Sequence, residues 1–273
     1  MKQPPIFRLL ALMGRSSGRN YTDQPAPRYS GEPTDTALRD RADGGVLRIV
    51  TFNIEFGLRV DAAIELFKAH PELTSADLVL LQEMSSAATA RVAQALNMWY
   101  VYYPAIYHAQ AKGEFGNAVL SRWPIMGDAR IVLPNLSRYA GTERTATAAT
   151  VLIKGVEVRV YSAHLGTIGD MSSARRREQL VKILDDAESY DKVIIGGDMN
   201  EPRVGIVAAG RGYAWPTRSG TRSTRFARLD HIFLKGLTAS EVAPSGTVRP
   251  PTRISDHYPV WVSAVMPVTP KSV

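Results

Sequence analysis

The chain has 273 residues, 45% of them hydrophobic and none of them cysteine. This composition is typical of a soluble globular protein with one large domain, and it excludes disulfides, thiolate metal sites and cysteine nucleophiles. The formal net charge is +7, and no apolar run reaches the roughly 18 residues of a membrane span. We therefore expect no integral membrane segment.

The first 44 residues differ from the rest of the chain. Residues 9–13 form an apolar patch that is shorter than the stretch of about 7–15 residues in a secretory signal. Residues 15–43 are rich in Pro, Gly, Ser, Asp and Arg, a composition typical of linkers. We predict an extended, disordered tail over residues 1–44, a catalytic domain over 45–267 and a C-terminal tail over 268–273. The cytoplasm is the favoured compartment, and export by an atypical N-terminal signal is the alternative.

Six apolar segments, predicted as strands, each carry a polar side chain at one border. In chain order the border residues are Asn53, Glu83, His164, Asp198, Asp230 and His257. Residues two apart in a strand share a face, so Asp198 and Asn200 point to the same side. Oxygen and imidazole groups of this kind can form a site for a hard cation together with a general base.

Three helices are predicted over residues 62–69, 85–96 and 173–190, as layers that cover the strands. The third begins with Arg175, Arg176 and Arg177, where cations oppose the helix dipole. Two interpretations are open. Arg176 contacts a substrate phosphate, or the three residues form a surface cluster.

A basic segment, defined here as residues 202–229, has six arginines, one of them Arg218, and no acidic residue after Pro202. Tyr213, Trp215 and Phe226 are interleaved among the arginines. Such a run is often only a solvated loop. Because Asp198 and Asp230 bracket it, we favour a surface that follows phosphates and offers aromatic platforms.

Seven short motifs follow one another in a specific order. They are Thr-Phe-Asn-Ile-Glu (51–55), Leu-Gln-Glu (81–83), Gly-Asn-Ala-Val-Leu-Ser-Arg (116–122), Ala-His-Leu (163–165), Gly-Asp-Met-Asn (197–200), Leu-Asp-His-Ile-Phe (229–233) and Ser-Asp-His-Tyr-Pro-Val (255–260). In this order the chain resembles the endonuclease/exonuclease/phosphatase superfamily, from about Val46 to Val265. The resemblance implies a four-layered α/β/β/α sandwich of two packed mixed sheets flanked by helices. It also implies divalent-metal-dependent cleavage of a phosphate ester.

The resemblance assigns roles to the catalytic candidates. Asp198 would align or deprotonate the attacking water, and Asn200 would contact the phosphoryl oxygen. His257 would contact the scissile phosphate, held in orientation by Asp230. His164 would stabilise the transition state or protonate the leaving group.

Glu83 is the strongest candidate for a metal ligand, because a cation can anchor a lone carboxylate after a buried strand. Asn53 adds a neutral oxygen or orients Glu83, and Asp256 completes the metal site or orders its strand end. Mg²⁺ suits such oxygen ligands and Mn²⁺ should substitute. Arg144, Arg176, Asn117 and Arg218 are weaker candidates for contact with the substrate phosphate or for support of the site.

These patterns favour a monomeric phosphodiesterase that acts on nucleic acid. The alternative is a phospholipid or small-molecule phosphodiesterase or phosphatase, although we identify no exposed aromatic hairpin of the kind secreted sphingomyelinases use. A binding module without catalysis is disfavoured, because each expected catalytic position holds a competent residue.

Overall fold

The predicted strands form two sheets. The computed structural model describes residues 19–21, 27–35, 46–108, 112–242 and 244–266. Their strands, in chain order, are β1 (Arg19–Asn20), β2 (Tyr29–Gly31), β3 (Val46–Asn53), β4 (Leu78–Met84), β5 (Trp99–His108), β6 (Gly113–Ser121), β7 (Ile125–Leu133), β8 (Arg144–Ile153), β9 (Val156–His164), β10 (Val193–Asp198), β11 (Asp230–Lys235), β12 (Thr238–Ala239), β13 (Ser245–Thr247) and β14 (Val260–Val265).

Both sheets are mixed. The larger has the order β1-β5-β6-β4-β3-β14-β12, with β2 on β5 and β13 on β14, and the smaller has the order β11-β10-β9-β8-β7. In the larger sheet β3 and β4 are parallel, and in the smaller sheet β9 and β10 are parallel. Each parallel pair brings two strand C-termini to the same edge.

The central strands are mostly apolar on both of their faces, because both faces are buried. On β3, Leu47 and Ile49 belong to the core between the sheets, whereas Val50 and Phe52 belong to the core under the helices. Ile194 and Ile195 of β10 divide in the same way between the inter-sheet core and the core on the outer face of the smaller sheet. This alternation is the period of two of an extended chain.

Helices cover the outer faces of both sheets. They are α1 (Val60–Ala69), α2 (Pro71–Thr74), α3 (Ser86–Leu96), α4 (Ser173–Asp186) and α5 (Gly205–Gly210), with 3-10 turns at Glu55–Gly57 and Pro216–Ser219. Helices α1, α2 and α3 pack on the larger sheet, and α4 and α5 pack on the smaller sheet. The four-layered α/β/β/α sandwich is therefore confirmed. Within the described residues, no helix combines the length and apolar character needed to cross a membrane.

Part of the predicted N-terminal tail is ordered, which corrects that prediction. Strands β1 and β2 both pair antiparallel with β5. The Arg28 side chain donates hydrogen bonds to both oxygens of Asp128 on β7, so this segment ties the larger sheet to the smaller one. The composition of this segment is typical of a linker. The prediction failed because short edge strands are stabilised by partners far away in the sequence, which composition does not reveal. The apolar patch at 9–13 and the C-terminal tail at 268–273 lie outside the described residues.

Strand register brings the polar borders together. His164 is the register partner of Asp198 across the parallel pair, and Asp230 is the partner of Asp198 on the other side. Gly197 makes this approach possible, because a Cβ there would lie 1.8 Å from the Ala163 carbonyl oxygen. Asn53 ends the neighbouring β3 in the facing sheet. The site therefore lies where one edge of each sheet meets the other.

Candidate active site

The carboxylate of Asp198 is the hub of the cluster. Its Oδ2 accepts a hydrogen bond from Asn53 Nδ2 at 3.2 Å and lies 3.3 Å from His164 Nε2 and 3.5 Å from His257 Nε2. Its Oδ1 accepts from the backbone N–H of Asn200 at 2.9 Å. Burial raises the pKa of Asp198 to about 6. Asp198 is thus ionised at neutral pH and yet basic enough to accept a proton.

His257 and Asp230 form a buried ion pair. His257 Nδ1 lies 2.7 Å from Asp230 Oδ2, and the Asp230 backbone N–H is held by the Ser223 hydroxyl. Burial alone would lower the pKa of His257, but the charges of Asp230 and Asp198 outweigh burial and raise that pKa well above its usual value. His257 is therefore an imidazolium that can donate to Asp230 and Asp198 at once.

His164 is the neutral imidazole of the site. Arg144 is a donor only and its Nη1 lies 3.2 Å from His164 Nδ1, so Nδ1 accepts and the proton resides on Nε2, which faces Asp198. Burial and the positive charge of Arg144 lower the pKa of His164 well below its usual value. Of the two predicted roles, this favours transition-state stabilisation over protonation of the leaving group.

Glu83 occupies an irregularity in its strand. It has a φ of 59° at the point where the β4–β6 register shifts. Its carboxylate accepts from Asn53 Nδ2 at 3.1 Å and from the Phe56 backbone N–H at 3.2 Å. Burial and the nearby charge of Asp256 raise the pKa of Glu83 to about 7. Asn53 therefore connects Glu83 to Asp198.

The donor set around Glu83 fits a hard cation. The side chain of Glu83 is only 16% exposed, and its hydrogen-bond donors at Asn53 and Phe56 are neutral groups. Asp256 is exposed, whereas its neighbour His257 is buried. The amide oxygen of Asn53 accepts from the Glu55 backbone N–H, and its Nδ2 faces Glu83, so Asn53 orients Glu83. A divalent cation held by the two carboxylates would relieve the repulsion between Glu83 and Asp256.

A different group of acidic and imidazole side chains has ligand atoms close enough together for one metal ion. Single ligand atoms of Asp198, Asp230 and His257 lie within 4.8 Å of one another. Both ring nitrogens of His257 are already paired with carboxylates, however. This trio fits a proton-holding chain better than a metal site.

Asn200 is a positioning residue in this structure. It has a φ of 51°, a conformation that asparagine tolerates. Its Nδ2 donates to the Leu165 carbonyl at 3.1 Å and lies 3.4 Å from Asp198 Oδ2. These bonds hold Asp198 beside the loop that follows His164. The contact of Asn200 with a phosphoryl oxygen stays a prediction.

Asn117 lies in a buried polar layer between the sheets. Its Nδ2 donates to the Thr145 carbonyl at 2.6 Å, and its own carbonyl accepts from Thr147. The Gln82 amide and Ser162 hydroxyl pair across the same interface at 3.0 Å. Asn117 therefore supports the strands beneath the site, in line with the supporting role predicted as one alternative.

The prediction that Arg176 contacts phosphate is wrong for this structure. Arg176 is buried and its Nε lies 3.3 Å from Glu201 Oε2, while Arg177 bonds the other oxygen of Glu201. Two of the three arginines at the start of α4 are thus explained by this acid. Gln179, on the same helix face, accepts from the Gly166 backbone N–H at 2.8 Å. The pair braces the loops after Asp198 and after His164.

The basic segment is only partly the predicted platform. Arg218 is exposed, and its guanidinium lies 5.7 Å from the Trp215 ring rather than in the cluster around Asp198. Tyr213 and Trp215 pack into the core under α5. Phe226 is 74% exposed, so it is the one of the three predicted aromatic platforms that is exposed. The sequence does not show which aromatic residues of the basic segment are buried and which are exposed.

Two serines that the sequence reasoning did not assign hold the catalytic strands in place. The hydroxyl of Ser255 donates to the Asn53 carbonyl at 2.7 Å and accepts from the His257 backbone N–H at 3.1 Å. Ser223 accepts from the N–H groups of Leu229 and Asp230. The Ser-Asp-His motif carried the signal for Ser255, whereas nothing local marked Ser223.

Comparisons with known proteins agree with this architecture. The Endonuclease/Exonuclease/phosphatase family model matches residues 50–257. The uncharacterized protein YbhP of Escherichia coli K12 is 26% identical over 259 residues, which cover 82% of this chain and 98% of YbhP.

Solved structures share the fold. D. rerio TDP2, complexed with a single-strand DNA product, has a TM-score of 0.64 and 17% identity, covering 81% of this chain and 99% of TDP2. The mannosyl-6-phosphatase Bt3783 of Bacteroides thetaiotaomicron has a TM-score of 0.60 and 18% identity, covering 81% of this chain and all of its own. With the family model spanning every border residue from Asn53 to His257, the chain belongs to the endonuclease/exonuclease/phosphatase family, whose members hydrolyse phosphate esters.

Proposed function

We propose that the protein is a divalent-metal-dependent phosphodiesterase that acts on nucleic acid as a monomer. The observation that carries this proposal is the Asp198 carboxylate, ionised and buried, with His164 and His257 both within 3.5 Å of its Oδ2 and Glu83 linked to it through Asn53. The base Asp198, the imidazolium of His257 and the carboxylate of Glu83, which would bind a metal, thus surround one small volume. Hydrolysis of a phosphodiester needs these three elements.

Each side chain of the cluster around Asp198 has a defined task in the proposed reaction. Asp198 orients the attacking water and takes its proton as the bond from phosphorus to the leaving oxygen breaks. His257, kept protonated by Asp230, donates to an oxygen of the phosphoryl group as negative charge builds there. His164 remains neutral and donates a hydrogen bond from its Nε2–H without giving up the proton. Arg144 holds His164 in that tautomer.

Glu83 and Asp256 would hold the metal ion, and Asn53 would orient Glu83 through its Nδ2. Mg²⁺ is the proposed cofactor and Mn²⁺ the proposed substitute. When bound, the ion supplies charge neutralisation to the substrate phosphate and the leaving oxygen. The raised pKa of Glu83 supports this, because a nearby cation would offset the burial and the Asp256 charge that raise it.

The first experiment measures hydrolysis of bis(4-nitrophenyl) phosphate with Mg²⁺, with Mn²⁺ and with excess chelator. We expect activity with either metal, and loss of activity with chelator that added metal restores. Hydrolysis that is insensitive to chelator would remove the metal from the proposal. An absence of hydrolysis under all three conditions would remove the phosphodiesterase itself.

The second experiment distinguishes substrates at two salt concentrations, using plasmid DNA, single-stranded DNA, RNA, sphingomyelin vesicles and phosphomonoesters. Arg203, Arg222 and Arg225 of the basic segment are exposed and support an anionic polymer as substrate. Cleavage of nucleic acid should then weaken steeply as salt rises. Phe226 beside Arg225 also suits a lipid surface, so activity on vesicles alone would favour the phospholipid alternative.

A further inference from the structure

A groove opens beside the cluster around Asp198, on the side of Glu83. Side chains that line it include Phe56, Glu83, His108, Phe115, Tyr139 and Arg144. Two of these, Glu83 and Arg144, also contact the catalytic residues, so the groove and the site are continuous. A group attached to a phosphate in the site could therefore extend into this groove.

One wall of the groove is aromatic. The ring centroids of Phe56 and His108 are 4.9 Å apart, those of Phe56 and Phe115 are 5.4 Å apart, and those of His108 and Phe115 are 6.0 Å apart. The ring of Phe115 lies 5.7 Å from that of His164. The wall thus runs from the catalytic imidazole outwards, and it is built by β5, β6 and the 3-10 turn at Glu55–Gly57.

Tyr139 and Arg144 also line the groove, outside the aromatic wall. Tyr139 is 50% exposed, and its backbone N–H donates to Asp170, so the loop that carries the ring is anchored. The Arg144 guanidinium lies 5.3 Å from the Phe115 ring centroid and also donates to Thr167. A large aromatic side chain that is half exposed beside a catalytic site is available to a ligand.

We propose that this groove receives a nucleobase that is attached, through its sugar, to the scissile phosphate. This inference rests on the proposed function and names the part of the substrate that the groove recognises. Flat π faces stack on aromatic side chains irrespective of base identity. Ile106 is the one large aliphatic side chain among the described residues of the lining, which disfavours a lipid tail as the occupant. Burial and the Arg144 charge lower the pKa of His108, which keeps its ring neutral.

The kinetic test compares a dinucleotide with two analogues in which one or the other nucleoside lacks its base. In the wild-type protein, removal of the base that occupies the groove should lower kcat/KM about tenfold, in keeping with the stacking contribution of a base. In the double variant His108→Ala, Tyr139→Ala the same removal should change kcat/KM less than about twofold. The matched control is Tyr107→Ala, since Tyr107 neighbours His108 on β5 but does not line the groove. It should keep the full preference.

A binding measurement in the presence of chelator makes the test independent of turnover. Calorimetry should find that a nucleoside 5′-monophosphate binds the wild-type protein about tenfold more tightly than ribose 5-phosphate does. The double variant should bind the two ligands equally, and Tyr107→Ala should match the wild type. Circular dichroism and thermal unfolding establish that each variant is folded. Should the double variant not fold, Tyr139→Ala alone, at its exposed position, carries the same comparison.

The outcomes separate the two proposals. If the wild-type protein cleaves bis(4-nitrophenyl) phosphate but shows no preference for a base, or does not cleave the dinucleotide, the groove inference is wrong and the phosphodiesterase stands. If both analogues lose activity equally in the wild type and in the double variant, another surface recognises the base. If no diester is cleaved with Mg²⁺ or Mn²⁺, the proposed function fails and the inference fails with it.

Discussion

The two halves of the active site differ in how their charges are matched. Around Asp198 and Asp230, carboxylates meet imidazoles, and His257 bridges the two acids. Around Glu83, the hydrogen-bond donors are the neutral groups of Asn53 and Phe56, and burial together with the neighbouring charge of Asp256 raises the pKa of Glu83. The first half is organised to hold protons, whereas the second half has the negative charge that a cation neutralises.

Among the variants that test this difference, replacement of Asp198 should have the largest effect on catalytic rate. Asp198→Asn keeps the shape of the side chain but removes the base, so kcat on bis(4-nitrophenyl) phosphate should fall about 10³-fold. Asp185→Asn is a suitable control, since Asp185 is an exposed acid that pairs with Arg211. Retention of more than about a tenth of the activity by Asp198→Asn would show that another group takes the proton.

Asp230→Asn should weaken the same half by a smaller factor, about 10²-fold in kcat. Asp230 acts through His257, whose pKa it holds well above the usual value. The amide removes that charge, so His257 loses its proton at a lower pH. The alkaline limb of the profile of kcat/KM against pH should therefore move to lower pH. The acid limb, from Asp198 at a pKa of about 6, should move to lower pH as well, because the Asp230 charge helps to raise that pKa. An unchanged alkaline limb would contradict the assignment of His257 as the cation.

Glu83→Gln tests the other half through stability instead of rate. In metal-free protein the pKa of Glu83 is raised from 4.5 to about 7, so the folded state binds its proton more tightly than the unfolded state does. Stability from this group is present below pH 4.5 and is lost as pH rises through about 7, by about 3 kcal/mol at most.

In chelator, urea unfolding of the wild-type protein should thus lose more stability between pH 5 and pH 8 than unfolding of Glu83→Gln does. Mg²⁺ should restore the wild-type protein at pH 8 and have less effect on the variant. Glu157→Gln, at an exposed position, should behave as the wild type does. Equal pH dependence in the wild type and in Glu83→Gln would show that Glu83 is not the source of the stability lost between pH 5 and pH 8.

The smallest expected effect concerns the support of both halves by α4. Gln179→Ala leaves the buried Gly166 N–H without its partner, which should cost about 1–3 kcal/mol of unfolding free energy. Because Gly166 follows His164 closely, kcat should fall a few-fold while the pH profile keeps its shape. Lys182→Ala, exposed on the same helix, should change neither quantity. A change in the pH limbs in Gln179→Ala would mean that Gln179 acts on the titrating groups themselves.

Much of this protein is determined by its sequence alone. The apolar segments that end at Asn53, Glu83, His164 and Asp198 form strands, because continuous hydrophobicity is stable only where both faces of a strand are buried. Seven motifs in a specific order were enough to predict the sandwich and the cluster around Asp198. These signals are local, since each motif carries its strand and its polar border together.

Tertiary structure decided the rest, because partners far apart in the chain set it. Arg176 binds Glu201 on a loop 25 residues away, so a helix pattern could not reveal its use. The tail segment around Arg28 is ordered through the pairing of β2 with β5 and through Asp128, 100 residues away. The aromatic groove likewise combines Phe56, His108 and Phe115 from three separate elements, and side chains of this kind look like core residues until packing shows which of them line the site.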